Sequence, residues 1–171
     1  MEGNTEGKFK MFKNLTEINK AYLAGFIDGD GSIIIQIVKD PSRNFGYYVR
    51  VSLALYQHNK FNWFMDWLKE VLAPHGYITR RSTGMNEFVI VAKAPVKDLL
   101  TLLYPYLKIK KPLCKIALEI IKELELVQTE VDFIKVCQKV DKVAELTYSK
   151  QRTVTAEVVA SHLKLPVETS K

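Results

Sequence analysis

Between Tyr47 and Gln57 the side chains separate cleanly by alternation: Val49, Val51, Leu53 and Leu55 on one side, Tyr48, Arg50, Ser52, Ala54 and Tyr56 on the other. A helix would mix the two sets, because its period is 3.6 rather than 2. A strand covered on both faces would be apolar throughout. The segment therefore specifies a strand with one face on a core and the other free to meet solvent or a partner. That free face carries an arginine, a hydroxyl and tyrosines.

The neighbouring patterns place this strand in a hairpin. Ser32 to Lys39 is dense in β-branched residues, and Asp40-Pro41-Ser42-Arg43-Asn44 is turn chemistry. Alternation does not choose a core side for the first strand, where Ile33, Ile35 and Ile37 compete with Ile34, Gln36 and Val38. A second hairpin is expected from Tyr77 to Arg81 and from Glu87 to Lys93, joined by Ser82 to Asn86. Helical spacing marks a segment from Asn14 to about Gly29, with Asn14 and Glu17 as a capping pair and Leu15, Ile18, Tyr22 and Phe26 in step. Further helices are predicted over Phe61 to Leu72 (stripe Phe61, Phe64, Leu68, Leu72), Val96 to Leu107, Pro112 to Leu126, Thr129 to Tyr148 and Thr153 to Leu163. The order is α-ββ-α-ββ-α followed by a helical tail, an α+β class with helices on one face of an antiparallel sheet. We read residues 1–13 as a mobile arm, 14–165 as one domain and 166–171 as a tail.

The 171 residues carry a formal charge of +6, and its distribution is uneven. Residues 1–32 have a net charge of −1, residues 33–111 of +7 and residues 112–171 of zero. A contiguous basic stretch that coincides with both hairpins suits a polyanion binder, because phosphate neutralisation drives such binding. A solvated surface of uneven charge is the plainer alternative. No apolar run approaches the ~18 residues needed to span a bilayer, and the N-terminal residues lack a secretory apolar stretch. Cys114 and Cys137 form neither a metal knuckle nor a disulfide framework and read as buried thiols.

The densest chemistry lies in Leu23-Ala24-Gly25-Phe26-Ile27-Asp28-Gly29-Asp30-Gly31. Gly25 and Gly29 are four apart on a helix and form a small-residue stripe that admits another backbone. Each interior glycine costs about 1 kcal/mol relative to alanine, so two of them imply a packing reason. Asp28 and Asp30 fall at the helix C-terminus, where the macrodipole disfavours a carboxylate unless a cation joins it. Asp30 is therefore a candidate ligand for a hard cation such as Mg²⁺, which needs only one or two carboxylates beside substrate phosphate oxygens. In isolation, Asp-Gly-Asp-Gly would more often be a helix-ending turn.

This stretch resembles the signature of the LAGLIDADG homing endonucleases in seven of nine letters, with Phe26 and Gly29 as departures. The resemblance continues through Gly31-Ser32-Ile33-Ile34, Trp63-Phe64 and Pro105 to Lys110, and covers roughly residues 14–160. It implies the αββαββα homing-endonuclease core, and the single-motif, homodimeric type encoded in algal group I introns. It further implies Mg²⁺, with Mn²⁺ or Ca²⁺ as substitutes in binding, held by Asp30 and the Gly29 carbonyl. Leu23, Gly25, Phe26 and Gly29 are expected at the two-fold axis, where two Asp30 carboxylates meet. Gln57 and Lys110 match the family's water-ordering glutamine and one of its basic catalytic residues. The second basic position holds Phe61, so Lys60 is the expected substitute.

Double-stranded DNA is the implied partner, read by the two hairpins in a major groove that an antiparallel ribbon fits. The expected contacts are Gln36, Ser42, Arg43, Tyr48, Arg50 and Ser52 from the first hairpin and Arg80, Arg81 and Glu87 from the second. Lys150 and Arg152 match positions that approach the DNA backbone. His58, His75 and His162 lack metal-ligand spacing and read as incidental, although His58 adjoins Gln57. The resulting expectation is a homodimeric, metal-dependent nuclease that cuts both strands of a long pseudo-palindromic site, in an organelle, a chloroplast before a mitochondrion. An intron-RNA maturase and a non-cleaving DNA-binding protein on the same scaffold are the less favoured alternatives.

Overall fold

The computed structural model describes residues 11–12, 15–147 and 152–166. Its elements follow the expected order: α1 (Glu17–Asp30), β1 (Gly31–Lys39), β2 (Tyr47–His58), α2 (Asn62–Val71), β3 (Tyr77–Arg80), β4 (Met85–Ile90) and α3 (Lys93–Leu103), then α4 (Lys111–Leu124), α5 (Glu130–Lys142) and α6 (Ala156–Leu163). The four strands form one sheet in the order β1-β2-β4-β3. The chain divides into two compact units, one of residues 1–34 and 52–114, the other of residues 35–51 and 115–171.

In the first unit, Thr16 caps α1 by accepting the Asn19 N–H at 3.2 Å; the expected Asn14 cap lies outside the described residues. Leu23, Ala24 and Ile27 form the buried stripe of α1, while Ile18 is 80% exposed and Tyr22 and Gly25 are also open. Leu23, expected at a two-fold interface, is 1% exposed and belongs to this chain's own core. The reason is angular: each helical step turns about 100°, so Leu23 cannot share the face of Tyr22 and Gly25. Phe26 is half-buried, its ring 4.7 Å from Phe64. Helix passes to strand at Gly31, where a Cβ would stand 2.7 Å from Ile27 Cα.

Helix α2 packs on β3 and β4 through Phe64, Met65 and Leu68. Phe61, expected to begin that apolar stripe, sits instead in a 3-10 turn, Asn59–Phe61, and is exposed. Helix α3 starts at Lys93, three residues before the sequence pattern does, because Pro95 falls in its first turn, where a missing N–H costs nothing. It packs against α1. Strand β4 pairs antiparallel with both neighbours, placing Tyr56 and Thr79 opposite Glu87, and Gln57 and Arg80 opposite Asn86.

In the second unit, Ile35 and Ile37 of β1 and Tyr47, Val49 and Val51 of β2 are buried. Gln36, Val38, Tyr48 and Arg50 are half-buried on the opposite face, which settles the side that alternation left open. Phe45 stacks on Phe133 at 5.0 Å. Helix α5 begins with a reciprocal cap: Thr129 Oγ1 accepts the Asp132 N–H, and Asp132 Oδ2 accepts that of Thr129. It ends at Lys142 and continues as a 3-10 turn to Leu146, short of Tyr148, which lies outside the described residues. Lys139 holds Glu119 at 2.9 Å and Glu123 at 2.6 Å.

Cys114 in the first unit and Cys137 in the second are free and buried, and burial pushes both thiols up to about 12. Among the described residues no helix is long and apolar enough to cross a membrane.

Candidate active site

The C-terminal end of α1 and the end of β2 meet at an open cleft in the first unit. It is lined by Gly29, Asp30, Gly31, Ser32, Tyr56, Gln57, His58 and Met85. Its volume is about 360 Å³, ample for a hydrated cation beside a phosphate group when a water's share of liquid is about 30 Å³. The fold thus brings together three expected residues, Gly29, Asp30 and Gln57, from positions 27 residues apart in the chain. Among the described residues no hydrogen bond or ion pair engages the Asp30 carboxylate, and no cluster of three His, Cys, Asp or Glu forms a self-contained metal site. That donor set fits a hard cation whose remaining ligands come from substrate oxygens and water.

Gln57 turns its amide oxygen back onto the His58 N–H at 2.8 Å, and among the described residues its amide N–H groups have no acceptor. His58 Nδ1 accepts the Lys60 N–H at 3.1 Å, so in the neutral ring the proton sits on Nε2. His58, Tyr56, Ser32 and Met85 complete the lining of the cleft, and no motif in the sequence assigns a role to the last three. For His58 the signal was available in its place beside Gln57 at the strand end. Lys60 is exposed, and it is not among the residues lining the cleft.

Lys110 reaches the same end of α1. Its Nζ donates to Ile27 O at 2.7 Å and to Asp28 O at 2.8 Å, two carbonyls of the last helical turn. Burial lowers its pKa, while the negative charges of Asp28 and Asp30 act in the other direction. The Asp28 carboxylate accepts the backbone N–H groups of Lys108, Ile109 and Lys110. Burial opposes its ionisation, but these three donors and the Lys110 charge hold its pKa below the ordinary carboxylate value. The electrostatic oddity of acids at a helix C-terminus is thus relieved at Asp28 by this chain's own donors.

The residues expected to read DNA fall into three groups. Gln36, Tyr48, Arg50 and the turn residues Ser42 and Arg43 belong to the second unit. With its amide oxygen turned to the guanidinium, Gln36 accepts from Arg50 Nε at 3.1 Å and from a second Arg50 N–H. Arg43 Nε lies 3.3 Å from Asp40 Oδ2, with its guanidinium 5.1 Å from the Tyr48 ring centre. The Ser42 hydroxyl donates to Asp40 Oδ1. In the first unit, Arg80 and Arg81 are exposed, and Arg81 NH2 donates to Glu87 Oε1 at 2.7 Å. Ser52 and Glu87 are only 3% and 7% exposed, since a short side chain on a central strand sinks between taller neighbours and Glu87 lies over the sheet toward Arg81. Both therefore depart from the expectation of freely presented readers.

The helical tail departs further. Arg152 is half-buried, and its NH1 donates to Val140 O at 2.8 Å rather than standing free for a phosphate. Burial lowers its pKa against the pull of Asp141. Lys150 lies outside the described residues.

Against known proteins, the LAGLIDADG endonuclease family model matches residues 23–116, from the first letter of the motif past Lys110. The DNA endonuclease I-CreI of Chlamydomonas reinhardtii is 36% identical over 152 residues, covering 86% of this chain and 92% of that protein. The DNA endonuclease I-CvuI of Chlorella vulgaris is 35% identical over 148 residues, covering 86% and 91%. Crystal structures of the homing endonuclease I-CvuI with DNA targets, in the presence of 2 mM Mg with the DNA not cleaved and of 2 mM Ca, superpose with a TM-score of 0.80 over 86% of this chain and 93% of theirs. The archaeal intron-encoded endonuclease I-Vdi141I shares the fold at 17% identity, with a TM-score of 0.74. With the motif at the mouth of the cleft and these relatives matched over nearly their whole length, the chain belongs to the LAGLIDADG endonuclease family.

Proposed function

We propose that this protein is a homodimeric homing endonuclease that hydrolyses one phosphodiester in each strand of a long pseudo-palindromic DNA site. The observation that carries the reading is the open Asp30 carboxylate beside Gly29 and Gln57 in one cleft, with the Lys110 ammonium on the same helix end. The relatives are named as DNA endonucleases, and one is crystallised on its DNA target.

Asp30 and the Gly29 carbonyl are the groups that would hold Mg²⁺, with Mn²⁺ or Ca²⁺ as substitutes in binding. Bound there beside the scissile phosphate, the cation would supply Lewis acidity and a water of lowered pKa. This chain's own residues do the rest. Gln57 directs its free amide donors into the cleft, where they hold a water or a phosphate oxygen. Lys110 keeps one N–H beyond the two given to α1 and sets a positive charge against the developing negative charge of the phosphate. Lys60, exposed two residues beyond His58, takes a supporting electrostatic role in place of the basic residue that Phe61 displaces.

The two-fold partner is a second copy of the chain. A Cβ built at Gly25 or Gly29 would meet nothing within 4 Å among the described residues, so the packing reason for these glycines is assigned to a second copy. Ile18 and Tyr22 leave an apolar surface on the same helix. DNA contacts come in the second unit from Gln36, Arg43, Tyr48 and Arg50, and in the first from Arg80 and Arg81, within the +7 segment. The algal relatives support an organellar setting, and we place the protein in the chloroplast.

Cleavage of a randomised-site plasmid library in Mg²⁺, by the protein and by Asp30→Asn, tests the reading. Selective cutting by the first alone is expected. Binding of intron RNA with no cutting by either would favour the maturase instead.

A further inference from the structure

Asp28 is the acidic residue of the motif that the mechanism above leaves idle, yet it is the more heavily bonded of the two. Its Oδ2 accepts the N–H of Lys108 at 2.7 Å and of Ile109 at 3.2 Å, and its Oδ1 that of Lys110 at 2.8 Å. These three consecutive donors stand immediately before α4, where N–H groups have no helical acceptor. A second set of bonds runs the other way between the same two segments. Lys110 Nζ donates to Ile27 O and Asp28 O, the carbonyls at the negative end of α1. Five hydrogen bonds thus lock residues 27–28 to residues 108–110, some 80 positions later in the chain.

We propose that Asp28 is a positioning residue for DNA cleavage, clamping the Lys108–Lys110 backbone so that the Lys110 ammonium is held in register with Asp30 two residues further along α1. The proposal rests on the nuclease reading given above. An ammonium on an unclamped segment samples many rotamers, and ordering it at the moment of reaction costs entropy. With the backbone fixed at one end and two N–H groups fixed at the other, the third N–H has a single direction left. Aspartate is the residue type this geometry requires. An ionised carboxylate accepts on both oxygens, whereas an asparagine would turn two donors toward an N–H group, and a glutamate would carry the carboxylate one methylene too far.

A mere cap on α4 would change stability without acting through Lys110, so the test is a double-mutant cycle. Single-turnover cleavage is measured at saturating protein for Asp28→Asn, Lys110→Met and the double variant, with DNA affinity read in Ca²⁺ and dimerisation by sedimentation. Asp28→Asn should slow cleavage on the order of 10²-fold, as expected for a misplacement near 1 Å, with affinity and dimer intact. In the Lys110→Met background it should have no further effect. Amide exchange at residues 108–110 should accelerate in Asp28→Asn and stay slow in Asp30→Asn.

Equal slowing in both backgrounds, or an unchanged rate in Asp28→Asn, would overturn the proposal while leaving the nuclease reading intact. A parent protein that cuts no site in the library would overturn both. If Asp28→Asn does not fold, Asp28→Glu enters the same cycle. It keeps the charge and both acceptors, so full activity with that variant would equally refute a positional role.

Discussion

Arg81 NH2 donates to Glu87 Oε1 at 2.7 Å, from an exposed guanidinium to a carboxylate that is almost wholly covered. Glu87 thereby holds the one face of Arg81 that would otherwise pair with any passing phosphate. Glu87→Gln should loosen Arg81 from its direction over the sheet. The expected outcome is weaker base discrimination at one position of the target, with tighter binding to unrelated DNA and a salt slope steeper by about 1. Cleavage profiling on the site library, together with binding titrations at several salt concentrations, reads both effects.

Loss of the Asp30 carboxylate should separate chemistry from binding. Asp30→Asn is expected to lower the cleavage rate by at least about 10³-fold, the upper end for one electrostatic group, while DNA binding persists. Chelation with EDTA should abolish cleavage by the parent protein, and added Mg²⁺ should restore it. Persistent cutting in EDTA would contradict the metal-dependent mechanism.

Gly25 is exposed, and a Cβ built there meets nothing within 4 Å among the described residues, so a side chain at this position has room to leave the helix surface. Gly25→Leu should preserve the helical circular-dichroism signal and dissociate the dimer in sedimentation. Cleavage should fall with the dimer, because each two-strand cut needs two copies of the cleft. A stable Gly25→Leu dimer would place the two-fold contact on another face.

Asp141 supplies a pH dependence of stability. Burial raises its pKa above the ordinary 3.8, against the Ala156 N–H and the Arg152 charge, and among the described residues its Oδ1 has no hydrogen-bond partner. The folded state therefore binds this proton more tightly than the unfolded state, and stability falls as pH rises from the unfolded pKa through the folded one. Asp141→Asn lacks that penalty. The melting temperature of Asp141→Asn relative to the parent should rise from pH 4 toward neutrality and then level off. A difference that is flat with pH would show that Asp141 is not perturbed.

The two thiols should be silent in the folded protein. With both pushed up to about 12 by burial, neither Cys114 nor Cys137 should react with a thiol-specific disulfide reagent at pH 8. Guanidinium unfolding should release two equivalents. Rapid labelling of the native protein would mean that one of the two helices opens readily.

Several features were legible because they depend only on local spacing. The period-2 alternation of Val49, Val51, Leu53 and Leu55 marked the buried face of β2, and the nine-residue motif marked the helix end that carries Asp30. The +7 block followed from composition alone. Other features lay beyond spacing, because partners distant in the chain decide them. Nothing within β1 says that Ile35 rather than Ile34 is buried; what packs on that side does. Nothing near Leu23 says that it turns inward while Tyr22 stays open, since both are apolar and adjacent. Asp28 looks unstable at a helix C-terminus until the backbone of Lys108, Ile109 and Lys110 arrives. Arg152 looks like a free phosphate contact until Val140 O takes its guanidinium. The sequence by itself determined the order of elements, the basic stretch and the motif that carries Asp30. The tertiary structure decided which polar groups remain free to act, because a hydrogen bond between segments eighty residues apart leaves no periodic trace in either one.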